Sequence, residues 1–219
     1  MSTFRFAIMG AGNIAHQFCD AVTLVEDCEV SAIASKDLGR AQKFAEECSV
    51  THAYDNYEQM LIEEKPDCVY IAVTPNDHFR LTMLCLEHRV PVLCEKAMFT
   101  NSAEAKAVFE KAEKDQTFVM EAMWSRFLPA VNQAKKWAAE GKIGRLEALQ
   151  GRIGFLAPEG ADNRYHSPLL CGGAATDITV YAYEIATWLV NEPVRKTYAA
   201  ANLDQTGVDL TDQVTVKFE

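Results

Sequence analysis

The sequence predicts an α/β fold in which a doubly wound parallel sheet is followed by an incomplete α+β domain with an open, mostly antiparallel sheet. In residues 1–122, short apolar runs alternate with amphipathic stretches of ten or more residues. This alternation is typical of a parallel sheet with helices on both faces. The run at 68–73 is apolar on both faces, as in a central strand. Because longer alternating patterns take over in residues 123–219, we place a domain boundary between residues 122 and 123.

Five strands and five helices are predicted in the first domain. The last of these helices begins at a capping signal, Asn101–Ser102. The predicted strands lie at 4–9, 29–35, 67–73, 91–94 and 117–121, and the predicted helices at 13–24, 38–48, 56–64, 77–88 and 102–115.

The second domain is predicted to contain two helices, three strands and one long loop rich in Gly, Pro, Asn and Asp. In chain order these are a helix at 129–140, a strand at 145–155, the loop at 157–172, a helix at 174–190, and strands at 194–203 and 212–219. The last strand pattern runs to the C-terminus without a turn, and a sheet ending there would expose an unpaired edge. We therefore expect the second domain to be truncated.

Composition excludes several classes of protein. The 219 residues carry a net charge of −10 with acidic and basic side chains interspersed, which disfavours nucleic-acid and anionic-membrane partners. Apolar runs are strand-sized, far short of the roughly 20 residues that span a bilayer. Because no leader pattern precedes the first strand, we expect a cytoplasmic protein. The seven cysteines form no C-x-x-C pair, which favours reduced, buried thiols and no metal site.

A glycine turn joins the first predicted strand to the first helix. It reads Gly10-Ala11-Gly12-Asn13-Ile14-Ala15, a G-x-G-x-x-A pattern. The first glycine permits a tight turn, and the second lets the backbone approach a pyrophosphate. The amides of Asn13 and Ile14 at the helix N-terminus would face the phosphates. The pattern predicts a dinucleotide-binding Rossmann domain, and the alternative is an ordinary strand-helix turn.

The end of the second strand indicates which nicotinamide cofactor binds. An acidic residue there would hydrogen-bond the ribose 2'-hydroxyl and repel a 2'-phosphate. This chain has Ser35-Lys36, and Arg40 follows one helical turn later, so hydroxyl and cationic groups favour NADP over NAD. The alternative is a solvated Lys36, with Asp37 binding the ribose of NAD.

Three further motifs accompany the glycine turn: Thr74-Pro75-Asn76-Asp77-His78, Glu95-Lys96-Ala97, and residues 172–181, which read GGAATDITVY. Together with that turn, they form a pattern that resembles the Gfo/Idh/MocA oxidoreductase family. The segment 120–129 is similar to the branch of that family that oxidises dihydrodiols and D-xylose. The resemblance implies hydride transfer between NADP and a CH–OH group of a sugar or cyclic vicinal diol, and a homodimer in the full-length form.

The resemblance implies three catalytic residues, Lys96, Asp177 and Tyr181. The family usually has E-K-P where this chain has Glu95-Lys96-Ala97; the lysine itself is retained. Tyr181 would exchange the substrate proton, and because a free phenol with a pKa near 10 is a poor base, a nearby Lys96 would favour the phenolate. Asp177, four residues earlier on the same helix face, would orient the substrate hydroxyl or the lysine. The alternatives are a Glu-Lys surface pair, a core tyrosine and a helix N-terminal carboxylate.

The remaining predicted contacts line the cofactor and the substrate. His78 would cap or pack beneath the cofactor loop, and a purely structural histidine is the alternative. For Trp124, the alternative is a place in the core at the domain junction. The further cofactor contacts are Thr74, Pro75, Asn76, Glu95, Trp124 and Arg126, and the further substrate contacts are Trp124, Phe155 and His166, with Arg164 and Tyr165 nearby.

Two other functions compete with the dehydrogenase. A cofactor-sensing regulator without catalysis is one, since the family resemblance extends to NADP-binding repressors. Retention of Lys96, Asp177 and Tyr181 together speaks against it. The other is an inactive fragment, because we expect the second domain to be incomplete.

Overall fold

The computed structural model describes residues 3–158, 160 and 163–219. The chain divides into two compact units, Met1–Ala122 and Met123–Glu219. Within the described residues, no helix combines the length and the apolar character needed to cross a membrane.

The first unit is built on a six-stranded parallel sheet with the order β3-β2-β1-β4-β5-β6. This order reverses direction between β1 and β4, as in a doubly wound sheet with a ligand crevice at that point. The predicted α/β fold is therefore confirmed. The strands are β1 (Phe4–Met9), β2 (Cys28–Ala34), β3 (His52–Tyr54), β4 (Cys68–Ile71), β5 (Val92–Cys94) and β6 (Val119–Glu121).

Helices cover both faces of this sheet because successive strand side chains point to opposite sides. Ala7 and Met9 of β1 pack in a core with the helices Tyr57–Glu64 and His78–Glu87. Ile8, between them in sequence, packs on the other face with the helices Asn13–Val22 and Leu38–Cys48. The helices are α1 (Asn13–Val22), α2 (Leu38–Cys48), α3 (Tyr57–Glu64), α4 (His78–Glu87) and α5 (Ser102–Asp115). Asn101 caps α5 by accepting a hydrogen bond from the amide of Glu104, as its sequence signal predicts.

The sequence misses one strand of this unit, β3. It has only three residues, His52–Tyr54, at the edge of the sheet. A strand this short has too few residues to give a period-2 pattern, so its pairing with β2 determines its conformation. Its neighbourhood includes the buried carboxylate of Glu64, which accepts hydrogen bonds from Arg5 and Tyr54.

The described part of the second unit contains two α-helices and one antiparallel strand pair. A π-helical turn at Ala175–Thr179 replaces the first part of the regular helix predicted at 174–190. Two carboxylates of the last strand, Asp209–Phe218, bind the two ends of this turn. Asp209 accepts a hydrogen bond from the amide of Ala175 at 2.5 Å, and Asp212 accepts one from the hydroxyl of Thr179 at 2.7 Å. The elements are α6 (Pro129–Ala139), α7 (Val180–Val190), β7 (Val194–Leu203) and β8 (Asp209–Phe218).

The prediction of a strand at 145–155 is wrong. That segment has no regular secondary structure, and Ile153 and Phe155 are about half exposed. An alternating pattern forms a strand only beside a partner, and the described strands of this unit, β7 and β8, pair with each other. The loop predicted at 157–172 contains 3-10 turns at Arg164–His166 and Pro168–Leu170. Positions 159, 161 and 162 of that loop lie outside the described residues.

The turn after β1 requires glycine at position 10. Gly10 has φ +109°, and a Cβ there would lie 2.6 Å from the carbonyl oxygen of Ala72, beyond the end of β4. At Gly12 the backbone is extended, and the nearest atom to a Cβ would be 3.9 Å away. The two glycines therefore serve different purposes, the first to fit the sheet and the second to leave space in front of the helix.

We expect Gly10→Ala to lower the free energy of unfolding of the first unit by roughly 2–4 kcal/mol, because it adds both a clash and backbone strain. Gly12→Ala is the matched control and should cost about 1 kcal/mol or less. Urea denaturation followed by circular dichroism measures both. Equal losses for the two variants would contradict this account of the turn.

Candidate active site

The carboxyl ends of β1, β2 and β4 lie at one edge of the first unit because these strands are parallel neighbours. Open parallel sheets bind ligands at this edge, where the strand order reverses. At this edge, Gly10 and Gly12 follow β1, and Ser35 and Lys36 follow β2. The structure thus brings the predicted phosphate and ribose contacts to the same edge.

The N-terminus of α1 fits a pyrophosphate. Asn13 and Ile14 are the first two helical residues, so their amides have no acceptor within the helix. The first turn of α1 contains no acidic side chain that would offset the positive end of the helix. The absent side chain at Gly12 leaves open space in front of these amides. An anion held by backbone N–H groups suits this arrangement.

The residues after β2 differ in what they can offer a cofactor. Ser35 is buried, whereas Lys36 is exposed. Asp37 caps α2, since its Oδ1 accepts from the amide of Arg40 at 2.9 Å. The guanidinium of Arg40 reaches back to the glycine turn and donates to the carbonyl oxygen of Ala11 at 3.3 Å. The cap occupies one carboxylate oxygen of Asp37 and leaves two cations, Lys36 and Arg40, at this end of the sheet.

Lys36 has a partner that the sequence analysis did not assign. Its ammonium forms an ion pair with the carboxylate of Asp77, which Arg80 also contacts at 3.3 Å. Burial alone would raise the pKa of Asp77, but hydrogen bonds from Lys36 and Arg80 hold that pKa below its usual range. Asp77 therefore stays ionised between two cations.

The turn Pro75–Asp77 follows β4 and leads directly into α4. Thr74 and Pro75 are half-buried and Asn76 is exposed, so this turn presents the three residues predicted to contact the cofactor. Whether they do so stays a prediction.

His78 packs beneath this turn, and whether it contacts the cofactor stays a prediction. The residue is completely buried. Its ring nitrogens each lie 3.0 Å from a backbone carbonyl oxygen, Nδ1 from Ala97 and Nε2 from Val73. Burial lowers the pKa of His78, so the ring is neutral at pH 7. The histidine joins the loop after β4 to the loop after β5, a positioning role.

The loop after β5 carries Glu95 and Lys96. Tyr70 donates to Glu95 at 2.5 Å, and the ring of Phe18 stacks on Tyr70 with centroids 4.0 Å apart. Burial raises the pKa of Glu95, while the bonds from Tyr70 and from the amide of Lys96 oppose that shift. These contacts fix the position of Glu95 and thereby of the loop that carries it. They leave the half-buried Lys96 at the carboxyl end of β5.

The peptide bond between Lys96 and Ala97 is cis. The next amide, that of Met98, donates to the carboxylate of Glu121 at the end of β6 at 2.9 Å. Both ends of the Glu95–Met98 segment are therefore tied to neighbouring strands.

In the second unit, the predicted proton-exchanging residue Tyr181 contacts Trp124. The indole Nε1 donates to the phenol oxygen at 2.9 Å, and the two rings meet edge to face. Tyr181 lies in the first turn of α7, and Trp124 begins a 3-10 turn at Trp124–Phe127. The indole N–H thus lies against the phenol oxygen that is predicted to exchange the proton.

A buried carboxylate fixes the turn that carries Trp124. Glu184, one helical turn after Tyr181 on α7, is 7% exposed. It accepts from the hydroxyl of Ser125 at 2.9 Å and pairs with the guanidinium of Arg126. Arg126 also stacks on Trp188, 4.6 Å from the ring centre. Arg126 therefore holds its own turn in place, and its predicted cofactor contact stays a prediction.

Asp177 lies in the π-helical turn and is paired with Arg164, whose Nη2 is 3.1 Å from its Oδ1. The guanidinium of Arg164 also covers the ring of Tyr165, and Phe155 packs edge-on against that ring at 5.2 Å. The Nδ1 of His166 lies 2.9 Å from the carboxylate of Asp204, and the predicted substrate contact of this histidine stays a prediction. The structure thus connects Phe155 to Asp177 through two residues and gives His166 a different partner.

Sequence reasoning missed Asp77 and Glu184, although each left a signal. Asp77 and Arg80 are three residues apart, the spacing of an ion pair on one helical face. Glu184 is the one charged residue in α7, and a lone charge in an apolar helix needs a buried partner. Neither signal identifies the partner, because Lys36 and Arg126 are distant in sequence.

Comparison with known proteins agrees with this geometry. Residues 4–123 match the family described as "Oxidoreductase family, NAD-binding Rossmann fold", and residues 131–219 match the "GFO/IDH/MocA C-terminal domain". The first match alone covers more than half of the chain. The chain belongs to the Gfo/Idh/MocA family. Among curated members, it is 31% identical to trans-1,2-dihydrobenzene-1,2-diol dehydrogenase of Mus musculus and 31% identical to that of Danio rerio, each over 98% of the chain.

The chain spans only part of these family members, 65% of the mouse enzyme and 64% of the zebrafish enzyme. Solved structures share its fold. A 3-ketoreductase from Actinomadura kijaniata, solved with TDP-benzene and NADP, gives a TM-score of 0.90 at 22% identity, covering 99% of this chain and 67% of that one. An NAD-binding protein from Listeria innocua gives a TM-score of 0.86 at 23% identity. The match covers 100% of this chain and 64% of that one.

The burial of His78 predicts a pH dependence of stability in this Gfo/Idh/MocA chain. Its folded-state pKa lies below the unfolded value of 6.5, so between these values the unfolded chain binds more protons. Stability should therefore fall as the pH falls through 6.5. Thermal unfolding between pH 5 and pH 7.5 should show a smaller dependence for His78→Gln than for the natural chain. His88→Gln, at the end of the same helix, should keep the natural slope, and an unchanged slope in His78→Gln would count against this assignment.

Proposed function

We propose that this protein is a dehydrogenase that transfers a hydride between NADP and a CH–OH group of a sugar or cyclic vicinal diol. The observation that carries the proposal is the hydrogen bond from Trp124 to Tyr181, which prepares a phenol for proton exchange. The names of the curated relatives, which are dehydrogenases of a cyclic dihydrodiol, support the substrate class. D-xylose and related aldoses are included because of the resemblance at residues 120–129.

The first unit supplies the cofactor site in this proposal. Asn13 and Ile14 offer amides to the pyrophosphate, and the open space at Gly12 admits it. Thr74, Pro75 and Asn76 form a turn at the same edge of the sheet, where they contact the rest of the dinucleotide. When bound, the nicotinamide ring supplies the hydride chemistry of the reaction.

We infer NADP rather than NAD from the side chains that follow β2. Asp37, the acid available to a ribose 2'-hydroxyl, uses an oxygen to cap α2. Lys36 and Arg40 provide positive charge for a 2'-phosphate, and Arg40 already lies over the glycine turn. The ion pair of Lys36 with Asp77 works against phosphate binding, so we expect a preference for NADP but not an absolute one.

The second unit supplies the proton step. Tyr181 accepts the proton of the substrate hydroxyl during oxidation and returns it during reduction. The indole N–H of Trp124 donates to the same oxygen and so stabilises the phenolate that results. Lys96, the cation at the end of β5, is assigned to stabilise the developing alkoxide. Asp177, held by Arg164, orients the substrate hydroxyl.

Aromatic side chains of the second unit form the wall for the substrate. Trp124 is 56% exposed and Phe155 49% exposed, so both have apolar faces available for a sugar or diol ring. We also propose a homodimer for the full-length protein, as the family resemblance implies.

We expect Tyr181→Phe to lower turnover at least about a hundredfold, since it removes the acid-base group, while the dissociation constant of NADPH changes by less than about twofold. Steady-state rates with a panel of aldoses and cyclic diols, together with fluorescence titration of NADPH, measure the two quantities. Tyr183→Phe, two residues further on α7, is the matched control. It should leave both the turnover and the dissociation constant of NADPH unchanged.

A result in which the natural chain binds NADPH but oxidises no member of the panel would favour the cofactor-sensing regulator or an inactive portion of the enzyme. Equal losses of turnover and NADPH affinity in Tyr181→Phe would remove Tyr181 from the proton step.

Titration of the natural chain should give a lower dissociation constant for NADPH than for NADH. Lys36→Met should weaken NADPH binding about tenfold and leave NADH within about twofold, because NADH lacks the 2'-phosphate that the ammonium would contact. Lys43→Met, on α2, removes the same charge away from the end of β2 and serves as the control. Tighter binding of NADH than of NADPH by the natural chain would overturn the assignment to NADP.

A further inference from the structure

A cluster of four side chains lies at the edge of the first unit, beside the predicted adenosine end of the cofactor. Lys36 follows β2, Asp77 ends the turn after β4, and Arg80 lies in the first turn of α4. Asp77 contacts both cations at once. The guanidinium carbon of Arg80 lies 5.9 Å from the ring centre of Tyr57, the first residue of α3. The carboxylate is the centre of this cluster.

The exposure of these groups shows which of them a ligand can reach. The side chains of Lys36 and Arg80 are 67% and 54% exposed, whereas that of Asp77 is 16% exposed. A dianionic phosphate arriving from solvent therefore meets two cations that already share a carboxylate. It must either displace that carboxylate or bind close to a like charge, and both reduce the gain from the new ion pairs.

A ribose with a free 2'-hydroxyl meets the opposite situation. A hydroxyl can donate a hydrogen bond to a carboxylate and loses nothing to charge repulsion. Asp37, the acid that directly follows Lys36, is engaged at the cap of α2. Asp77, which comes from a different loop, is thus the acidic group that stands beside Lys36.

We propose that Asp77 determines how strongly this protein discriminates between a phosphorylated and an unphosphorylated adenosine ribose, by acting as the resident counterion of Lys36 and Arg80. The carboxylate lowers the affinity for the 2'-phosphate and leaves the binding of a free 2'-hydroxyl unopposed. Arg80 is the additional phosphate ligand that becomes available when the carboxylate is removed. This inference rests on the proposed function, since it assumes a nicotinamide dinucleotide at this edge of the sheet.

The test is a fluorescence titration of NADPH and NADH with the 219-residue chain and its Asp77→Asn variant. Asparagine keeps the size of the side chain and remains suitable at a helix N-terminus, so α4 should persist. We expect NADPH to bind about tenfold more tightly and NADH to bind equally or a few-fold more weakly. Asp77→Ser is a second variant with the same expected direction, and circular dichroism checks that each variant is folded.

Asp20→Asn is the matched control, because it removes one negative charge from an exposed position near the other end of α1. The ratio of the two dissociation constants should not change in this variant. Competition by 2'-AMP and 5'-AMP reports on the adenosine end alone, and the gain in Asp77→Asn should appear with 2'-AMP. In a chain that already carries Lys36→Met and Arg80→Met, Asp77→Asn should shift the ratio less, because only the repulsion between the carboxylate and the phosphate is then relieved.

The outcomes separate this inference from the proposed function. If the natural chain binds neither dinucleotide, the proposed function fails and this inference fails with it. If the natural chain binds both, and the folded Asp77 variants leave the NADPH to NADH ratio unchanged or lower the affinity for NADPH, only the role of Asp77 is overturned.

Discussion

Parallel pairing of β1 with β2 on one side and β4 on the other is the constraint on which the first unit depends. It brings the ends of these strands to one edge and presses the turn after β1 against the backbone of Ala72, so closely that position 10 has no room for a side chain. The same pairing fixes the direction of α1 and therefore where its free amides point. Every further contact at this edge, from Arg40 over the turn to Asp77 beside Lys36, uses this arrangement.

Two kinds of residue complete the edge. Some are exposed to solvent, as Lys36 is, and others are held by contacts within the protein itself. His78 and Glu95 belong to the second kind: one joins two loops through carbonyl oxygens, and the other is bonded to Tyr70 and to its own loop. In the second unit, Glu184 does the same for the turn of Trp124. Titratable groups that look like site residues in the sequence can therefore be the ones that hold the site in shape.

Much of the fold follows from local pattern. The helices α2 and α5 and the strand β7 have the bounds that the sequence predicts, since each has a regular period or a capping signal. The sequence predictions for β3 and for the segment at 145–155 are wrong for opposite reasons. β3 is a strand only because β2 lies beside it, whereas the segment at 145–155 lacks a partner among the described strands. The candidate site follows the same rule. Gly10, Gly12 and Lys36 could be named from their motifs, whereas Asp77 and Glu184 could not, because their partners are brought near only by folding.

The anchoring of the π-helical turn has a wider consequence. Asp209 and Asp212 belong to β8, yet they hold the two ends of the segment that contains Asp177, more than thirty residues earlier in the chain. Because both contacts come from β8, the position of Asp177 depends on that strand as well as on its own helix.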